Sequence, residues 1–345
     1  MASTTPTEKL SGLRRGEYRG AETALVFSDP HPEFAVLRSG CGTYDLGWRR
    51  YYTVAGRDRV RWLNGMVSNN VRDLAAGHGV YAYVLTPQGH ILGDLYIYNG
   101  GDEFVLATDA AQVDKLYPHL KRFIIMDQVE FKPAEEWTAV GLQGPQAEDT
   151  LRAAQFQFPA LQPLQLAQVK WGDSQATLVR GDHPLSLNFE LWLPAELAPA
   201  LWDTLLKAGA TPVGAEALEL ARIAAGIPRY GQDIRERDLP QETGQMRAIS
   251  FTKGCYIGQE IVERIRARGS LHRAFTGFRI VEGPLPTLGS KVQASGKDVG
   301  EVTSAAVLPG QIAVALGYIR KEAAPGSMVE TGETRARVEN LPFSW

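Results

Sequence analysis

Cysteine is almost absent from this chain: 345 residues contain two, Cys41 and Cys255, and no C-x-x-C pair. That excludes a conventional zinc ribbon and a dithiol redox motif, and both thiols are expected to be free rather than paired in a secreted scaffold. Two thiolates also fall short of the roughly four that hold a typical iron–sulfur cluster, so the chain alone is not expected to carry one. The six histidines, at 31, 78, 90, 119, 183 and 272, are scattered with no pair at helix-face spacing, and no metal site is expected. No run approaches the ~20 apolar residues of a membrane span. The opening MASTTPTEKLSGLRRGEYRG lacks the apolar core of a secretory signal, so a cytoplasmic address without a membrane partner is the expectation. Excess charge is missing as well. A formal net charge of −3 gives no general pull towards nucleic acid or anionic lipid.

What is present is an ordinary globular composition, 44% apolar, 22% charged and 9% aromatic, in a chain long enough for two or three domains. Val80 to Ala107 reads as a β-meander, with TPQG and NGGD as its turns. Thr108 and Asp109 can cap a helix running to about Ile125, and an earlier helix is expected from Asp58 to about Met66. A second unit begins near Trp137, where TAVGLQGP reads as strand and turn with Pro145 placed to open a helix. LSLNFELWLP reads as a further strand and Pro194 to Ala208 as a Leu-rich helix. GAEALELARIAAG is another helix, with Gly226 at its left-handed C-terminal cap. After Arg273, short β-rich runs alternate with Gly and Pro turns, which indicates a small all-β domain.

The stretch FTKGCYIGQEIVERIRARGSLHR, from Phe251 to Arg273, holds one of the two thiols. Ile257, Ile261 and Ile265 recur at helical spacing after it, and Glu260 and Arg264 form an i, i+4 pair. Cys255 then lies just before a helix N-terminus, two residues after Lys253, in a loop where Gly254 and Gly258 permit close backbone approach. A helix N-terminus and a nearby cation can lower a thiol pKa into the range ~3.5–7.5. Two readings stay open on the residues alone: a thiolate able to attack or to ligate a soft metal, or a small hydrophobe under a turn. The segment is not a phosphate-binding loop, since no Gly-Lys-Ser/Thr follows.

The motif Lys253-Gly254-Cys255-Tyr256-Ile257-Gly258-Gln259-Glu260, preceded by AISFT and followed by RARGSLHR, resembles the signature of the YgfZ-type folate-binding proteins. These are relatives of the glycine-cleavage aminomethyltransferase that support iron–sulfur enzymes, tRNA-modifying ones among them. CGTYDLGWRRYYTVAGRDRVRWLNGMVSNNV, GLQGPQAEDTL, LNFELWLP and LELARIAAGIPRYGQDI resemble further landmarks of the aminomethyltransferase superfamily, in order. The resemblance covers about Glu33 to the C-terminus. It implies an α+β, three-domain ring: an N-terminal arm over 1–17, a first α+β domain over 18–136 to which 215–270 returns, a second over 137–214, and a C-terminal β-barrel over 271–345. It also implies that Cys255 is the functionally important residue.

The resemblance further implies where a tetrahydrofolate, or a folate derivative, would be held. Asp94 lies inside the apolar strand GHILGDLYIY, where a carboxylate must face solvent, a cavity or a partner. It stands thirteen residues after Tyr81, the spacing at which the enzymes carry a tyrosine and a folate-positioning aspartate. The enzymes usually have two adjacent aspartates, however, and Gly93 replaces the first. Glu190, in NFELW, matches the pterin-binding glutamate, whose carboxylate can accept two adjacent N–H groups. Arg222 matches a folate-contacting arginine, while Ala224 replaces a usual glutamate two positions later.

Two functions follow as alternatives. The first is a folate-binding factor for assembly or repair of iron–sulfur enzymes, with such enzymes or cluster carriers as partners and Cys255 as its working group. The second is an aminomethyltransferase moving a one-carbon unit to tetrahydrofolate, which would lean on Asp94. Arg264, Arg266, Arg268, Arg273 and His272 make a basic stretch, but such helix faces are usually solvated surface, and a nucleic-acid partner is not expected.

Overall fold

The computed structural model describes residues 6–7, 12–269, 271–321, 323 and 325–344, so most of the arm expected over 1–17 lies outside the described residues. The chain divides into two compact units, Met1–Ala82 with Leu95–Leu218, and Tyr83–Asp94 with Glu219–Trp345. Residues 18–82 and 95–214, expected to fall in two domains, therefore share one unit. The returning segment groups from Glu219 onward with the barrel.

The first unit opens with a hairpin, β1 (Arg14–Tyr18) and β2 (Ala21–Val26), whose turn places Arg19 and Gly20 at positive φ. Helix α1 (Pro30–Ser39) starts where Asp29 accepts the His31 amide at 2.9 Å. The buried carboxylate of its Glu33 accepts the amides of Phe27, Ser28 and Gly214 at 2.8, 2.6 and 2.7 Å, which satisfies a charge that burial alone would penalise. The chain continues through β3 (Gly42–Asp45), β4 (Arg49–Ala55) and α2 (Arg59–Met66), the last close to its expected limits. The meander follows as β5 (Gly79–Leu85), β6 (Ile91–Asn99) and β7 (Phe104–Asp109).

The helix expected from Asp109 to Ile125 is shorter. A 3-10 turn at Ala110–Gln112 leads into α3 (Val113–Lys121), and the chain then turns with Ile125 and Met126 81% and 91% exposed. Asp109 caps nothing, because its carboxylate is engaged by Arg19 and Arg49. Next come β8 (Glu130–Pro133), β9 (Trp137–Gln143), α4 (Ala147–Ala153), β10 (Leu166–Trp171), β11 (Ser174–Arg180), β12 (Asn188–Pro194), α5 (Ala198–Lys207), β13 (Thr211–Pro212) and α6 (Ala215–Ala224).

These strands form two sheets, ordered β5-β6-β7-β4-β8 and β10-β11-β12-β9-β3-β13. One face of the six-stranded sheet packs on α4 and α5 through Leu151, Phe189, Leu201 and Trp202. Its other face meets the first unit's part of the five-stranded sheet through an aromatic layer that includes Tyr44, Tyr51, Tyr98 and Trp192. Alternation along β12 explains the split: Phe189 and Leu191 point to the helices, Glu190 and Trp192 into the layer.

In the second unit, α7 (Gln259–Arg268) precedes six strands, β14 (Arg273–Glu282), β15 (Lys291–Ala294), β16 (Lys297–Leu308), β17 (Ile312–Arg320), β18 (Met328–Thr331) and β19 (Thr334–Glu339). They close into a barrel in the order β14-β17-β16-β15-β18-β19, around Phe278, Val302, Ala315, Ile319 and Val338. The expected C-terminal β-barrel and α+β fold class are both present. Closure leaves no unpaired sheet edge.

Candidate functional site

Glu190 reaches the aromatic layer of the first unit with its side chain 15% exposed. Trp192, on the same face of β12, donates its indole N–H to Glu190 Oε2 at 2.8 Å, and Arg49 Nη2 lies 3.5 Å from Oε1. Arg49 also meets Asp109 at 3.2 Å, which in turn takes Arg19 at 3.0 Å. Burial disfavours the Arg49 charge, but Glu190 and then Asp109 more than offset it, and the guanidinium is held charged well above its ordinary pKa. Strand register brings these groups together, since Arg49 is paired with Asp109 across β4 and β7.

Among the described residues, Arg49 Nε and the Tyr51 hydroxyl in this cradle are buried with no hydrogen-bond partner. Burial, then Glu190, pushes the Tyr51 pKa up, so this hydroxyl stays protonated. A carboxylate with unused lone pairs, an unpartnered N–H and an unpartnered O–H are what a planar heterocycle with ring N–H groups and acceptor atoms would satisfy. Tyr96 extends the cradle, with the Arg49 guanidinium 5.7 Å from its ring centre and its hydroxyl donating to Asp182 at 3.1 Å. Tyr81 is brought in by its ring, 5.0 Å from that of Tyr96. Arg49, Tyr51, Tyr96 and Trp192 were not singled out from sequence, and Asp109 was read only as a helix cap. Arg49 and Tyr51 lie in RRYY and Trp192 in LNFELWLP, both inside segments read as superfamily landmarks.

Asp94 belongs to the second unit, half-buried on β6. Its charge acts on Tyr230, whose pKa is pushed up to about 12 by burial and then by Asp94. The Tyr230 hydroxyl donates to the Leu92 carbonyl at 2.5 Å, which ties the segment after α6 to the strand that carries Asp94.

Arg222 lies elsewhere in its chemistry. It is 4% exposed, and all five of its N–H donors are committed: two to Glu219 (3.0 and 2.8 Å), and one each to the Ile227 carbonyl (2.7 Å), Asp233 (2.7 Å) and Ser304 (2.9 Å). The folate contact expected of Arg222 from the resemblance finds no uncommitted donor in this geometry. Asp233, fully buried, also accepts from Thr303 and Ser304 on β16 and from the Arg229 amide. Arg222 thus fastens α6 and its following loop to the barrel.

Cys255 is exposed, whereas Cys41 is buried. The helix after it starts at Gln259, with Gly258 in the left-handed conformation (φ 85°) at its N-cap. Ile257, Ile261 and Ile265 form the expected stripe but are only half-buried, and Val262 is the residue sealed in the core. Lys253 is buried, its ammonium 5.0 Å from the Tyr256 ring centre. Tyr256 is buried too, its pKa pushed up to about 12 by burial and then by Glu263. Glu260 pairs with Arg264 at 2.6 Å as the spacing indicated, while Gly254 is exposed.

Gly258 explains how the loop is seated. A Cβ there would stand 2.6 Å from the Thr86 carbonyl oxygen and 2.9 Å from Leu85 Cβ. At Gly89, also at positive φ, a Cβ would stand 2.7 Å from Ile261 Cβ. Two glycines therefore let the turn of the β5–β6 hairpin pack onto the start of α7. The turn that leads into the strand bearing Asp94 is thus packed, within the second unit, against the helix start that follows Cys255.

Among the described residues no three His, Cys, Asp or Glu side chains are grouped to hold a metal ion, and no helix is long and apolar enough to cross a membrane.

The fold is that of an aminomethyltransferase. The chain superposes on the glycine cleavage system aminomethyltransferase T from Bartonella henselae with a TM-score of 0.90, covering 98% of this chain and 96% of that one at 24% identity. The GCVT N-terminal domain profile matches residues 9–253, and the chain belongs to that family. It is 31% identical over 307 residues to the aminomethyltransferase of Geobacillus kaustophilus, covering 86% of this chain and 84% of the relative. It is 29% identical over 339 residues to that of Rubrobacter xylanophilus, covering 96% and 91%.

Proposed function

We propose that this protein binds a reduced folate and supports iron–sulfur enzymes through the Cys255 thiol. The observation that carries the folate half is the cradle of the first unit. Glu190, fixed by Trp192 and Arg49, can accept a pair of N–H donors from a pterin edge in charge-assisted hydrogen bonds. The unpartnered Arg49 Nε and Tyr51 hydroxyl give such a ring further polar neighbours. Tetrahydrofolate or a derivative is the ligand class this suits. When bound, it would supply one-carbon or reducing chemistry, while Asp94 provides a carboxylate in the second unit.

The thiol half rests on exposure. Cys255 can be reached from solvent in a loop whose seating is built around Gly258. A single exposed thiol could serve as one soft ligand or as a nucleophile, the remaining ligands of a cluster of about four thiolates coming from the client. Gly93 and Ala224, where the enzymes carry acidic residues, support a role other than aminomethyl transfer.

A second reading, transfer of an aminomethyl carbon to tetrahydrofolate, draws on the relatives, which are named for that activity over most of this chain's length. One experiment separates the two. Wild type, Cys255→Ala and Asp94→Ala are compared for tetrahydrofolate binding, for aminomethyl transfer, and for restoring activity to a radical-SAM iron–sulfur enzyme. Full restoration by Cys255→Ala would remove the thiol role. Transfer activity in the wild type that vanishes in Asp94→Ala would establish the second reading.

A further inference from the structure

At the other end of the aromatic layer from Arg49 and Asp109, the first unit contains a cavity of about 310 Å³, within the size range of small-molecule sites. Its apolar walls are Trp137, Trp192, Val105 and Leu166, and the two indole rings lie 6.5 Å apart at 34°. Asp102 and Glu103, in the turn between β6 and β7, complete the lining. Neither carboxylate has a side-chain hydrogen bond or ion pair among the described residues, and no lysine or arginine lines the cavity. The other polar groups are already served, since Gln168 donates to Thr177 at 2.9 Å.

We propose that this cavity binds a small organic cation, an ammonium or guanidinium group carried on an apolar body. Indole faces attract cations more strongly than the other aromatic rings do, and the attraction grows as the cation loses water. The two unpartnered carboxylates add the matching sign. An anion would be repelled, and a neutral ligand would leave both carboxylates as they are. Burial, then Asp102 and Glu130, raises the Glu103 pKa, a strain that a bound cation would relieve. The site is separate from the folate cradle, but the two share a wall: Trp192 lines the cavity and its N–H holds Glu190.

The test is a titration of the full chain with benzylammonium, and with neutral benzyl alcohol of similar shape, read by calorimetry and tryptophan fluorescence. It compares wild type with Asp102→Asn/Glu103→Gln, a surface double variant whose thermal midpoint verifies folding, and with Trp137→Leu. Saturable binding of benzylammonium is expected, weakened about fivefold or more in the double variant and in Trp137→Leu, with benzyl alcohol indifferent to the charge change. Absence of saturable benzylammonium binding, or equal binding to wild type and the double variant, would overturn the proposal. Titrating tetrahydrofolate into the same variants keeps the outcomes apart: folate affinity retained in the double variant leaves the cradle reading untouched by either result.

Discussion

Glu190 is useful because its geometry is imposed from two sides, by an indole N–H and a guanidinium whose charge is itself held by Asp109. Glu190→Gln keeps the shape but removes the charge, and tetrahydrofolate affinity measured by calorimetry is expected to fall about tenfold or more. Glu190 and Tyr81 were legible as candidates from sequence, whereas Arg49, Tyr51 and Trp192 were not. Their value comes from ladder register and from burial of particular atoms, neither of which a linear pattern displays. A second expectation concerns tyrosines. Tyr52, Tyr230 and Tyr256 each have pKa values pushed up to about 12, first by burial, from an ordinary value of about 10. The native state then retains protons that the unfolded chain loses, so their contribution to stability is complete below pH 10 and declines as pH rises towards 12. Urea midpoints measured between pH 9 and 12, with tyrosinate absorbance followed in parallel, check the sign.

At the scale of elements, two contacts decide how the second unit is assembled. Gly258→Ala would force a side chain into the left-handed region and against the Thr86 carbonyl, with a cost of at least about 1 kcal/mol. A lower thermal midpoint is expected, together with an altered rate of Cys255 modification by a disulfide reagent. An unchanged rate and midpoint would show that the hairpin turn does not seat the loop. Arg222→Ala would leave the buried Asp233 carboxylate without its cation, a loss of about 3–5 kcal/mol measurable by chemical denaturation. The glycines at 254 and 258 were read as permitting close backbone approach, but the partner of that approach, the Thr86–Gly89 turn, lies too far along the chain to be named from sequence.

For the whole molecule, the division into units follows from where buried charge is satisfied. The segment after α6 follows the barrel because Asp233 draws Thr303 and Ser304 to it, and because Arg273 on β14 meets Asp238 and Glu242 at 2.6 and 3.0 Å. Cys255→Ala, at an exposed position, is expected to leave the denaturation midpoint unchanged within about 0.5 kcal/mol while abolishing support of an iron–sulfur client. A shifted midpoint would assign the thiol a structural role instead.

The linear order of residues was enough to establish the meander, the Leu-rich helices, the small C-terminal all-β domain and the glycine-bracketed thiol, because each rests on alternation, helical periodicity or turn chemistry within a few neighbours. Those signals are local, and so is the physics behind them. Only the folded chain decided that Arg222 is saturated, that Asp109 serves a guanidinium rather than a helix, and that Glu190 shares a cradle with Arg49 and Trp192. Each of those depends on which distant groups lose water together, and desolvation is a property of the assembled interior.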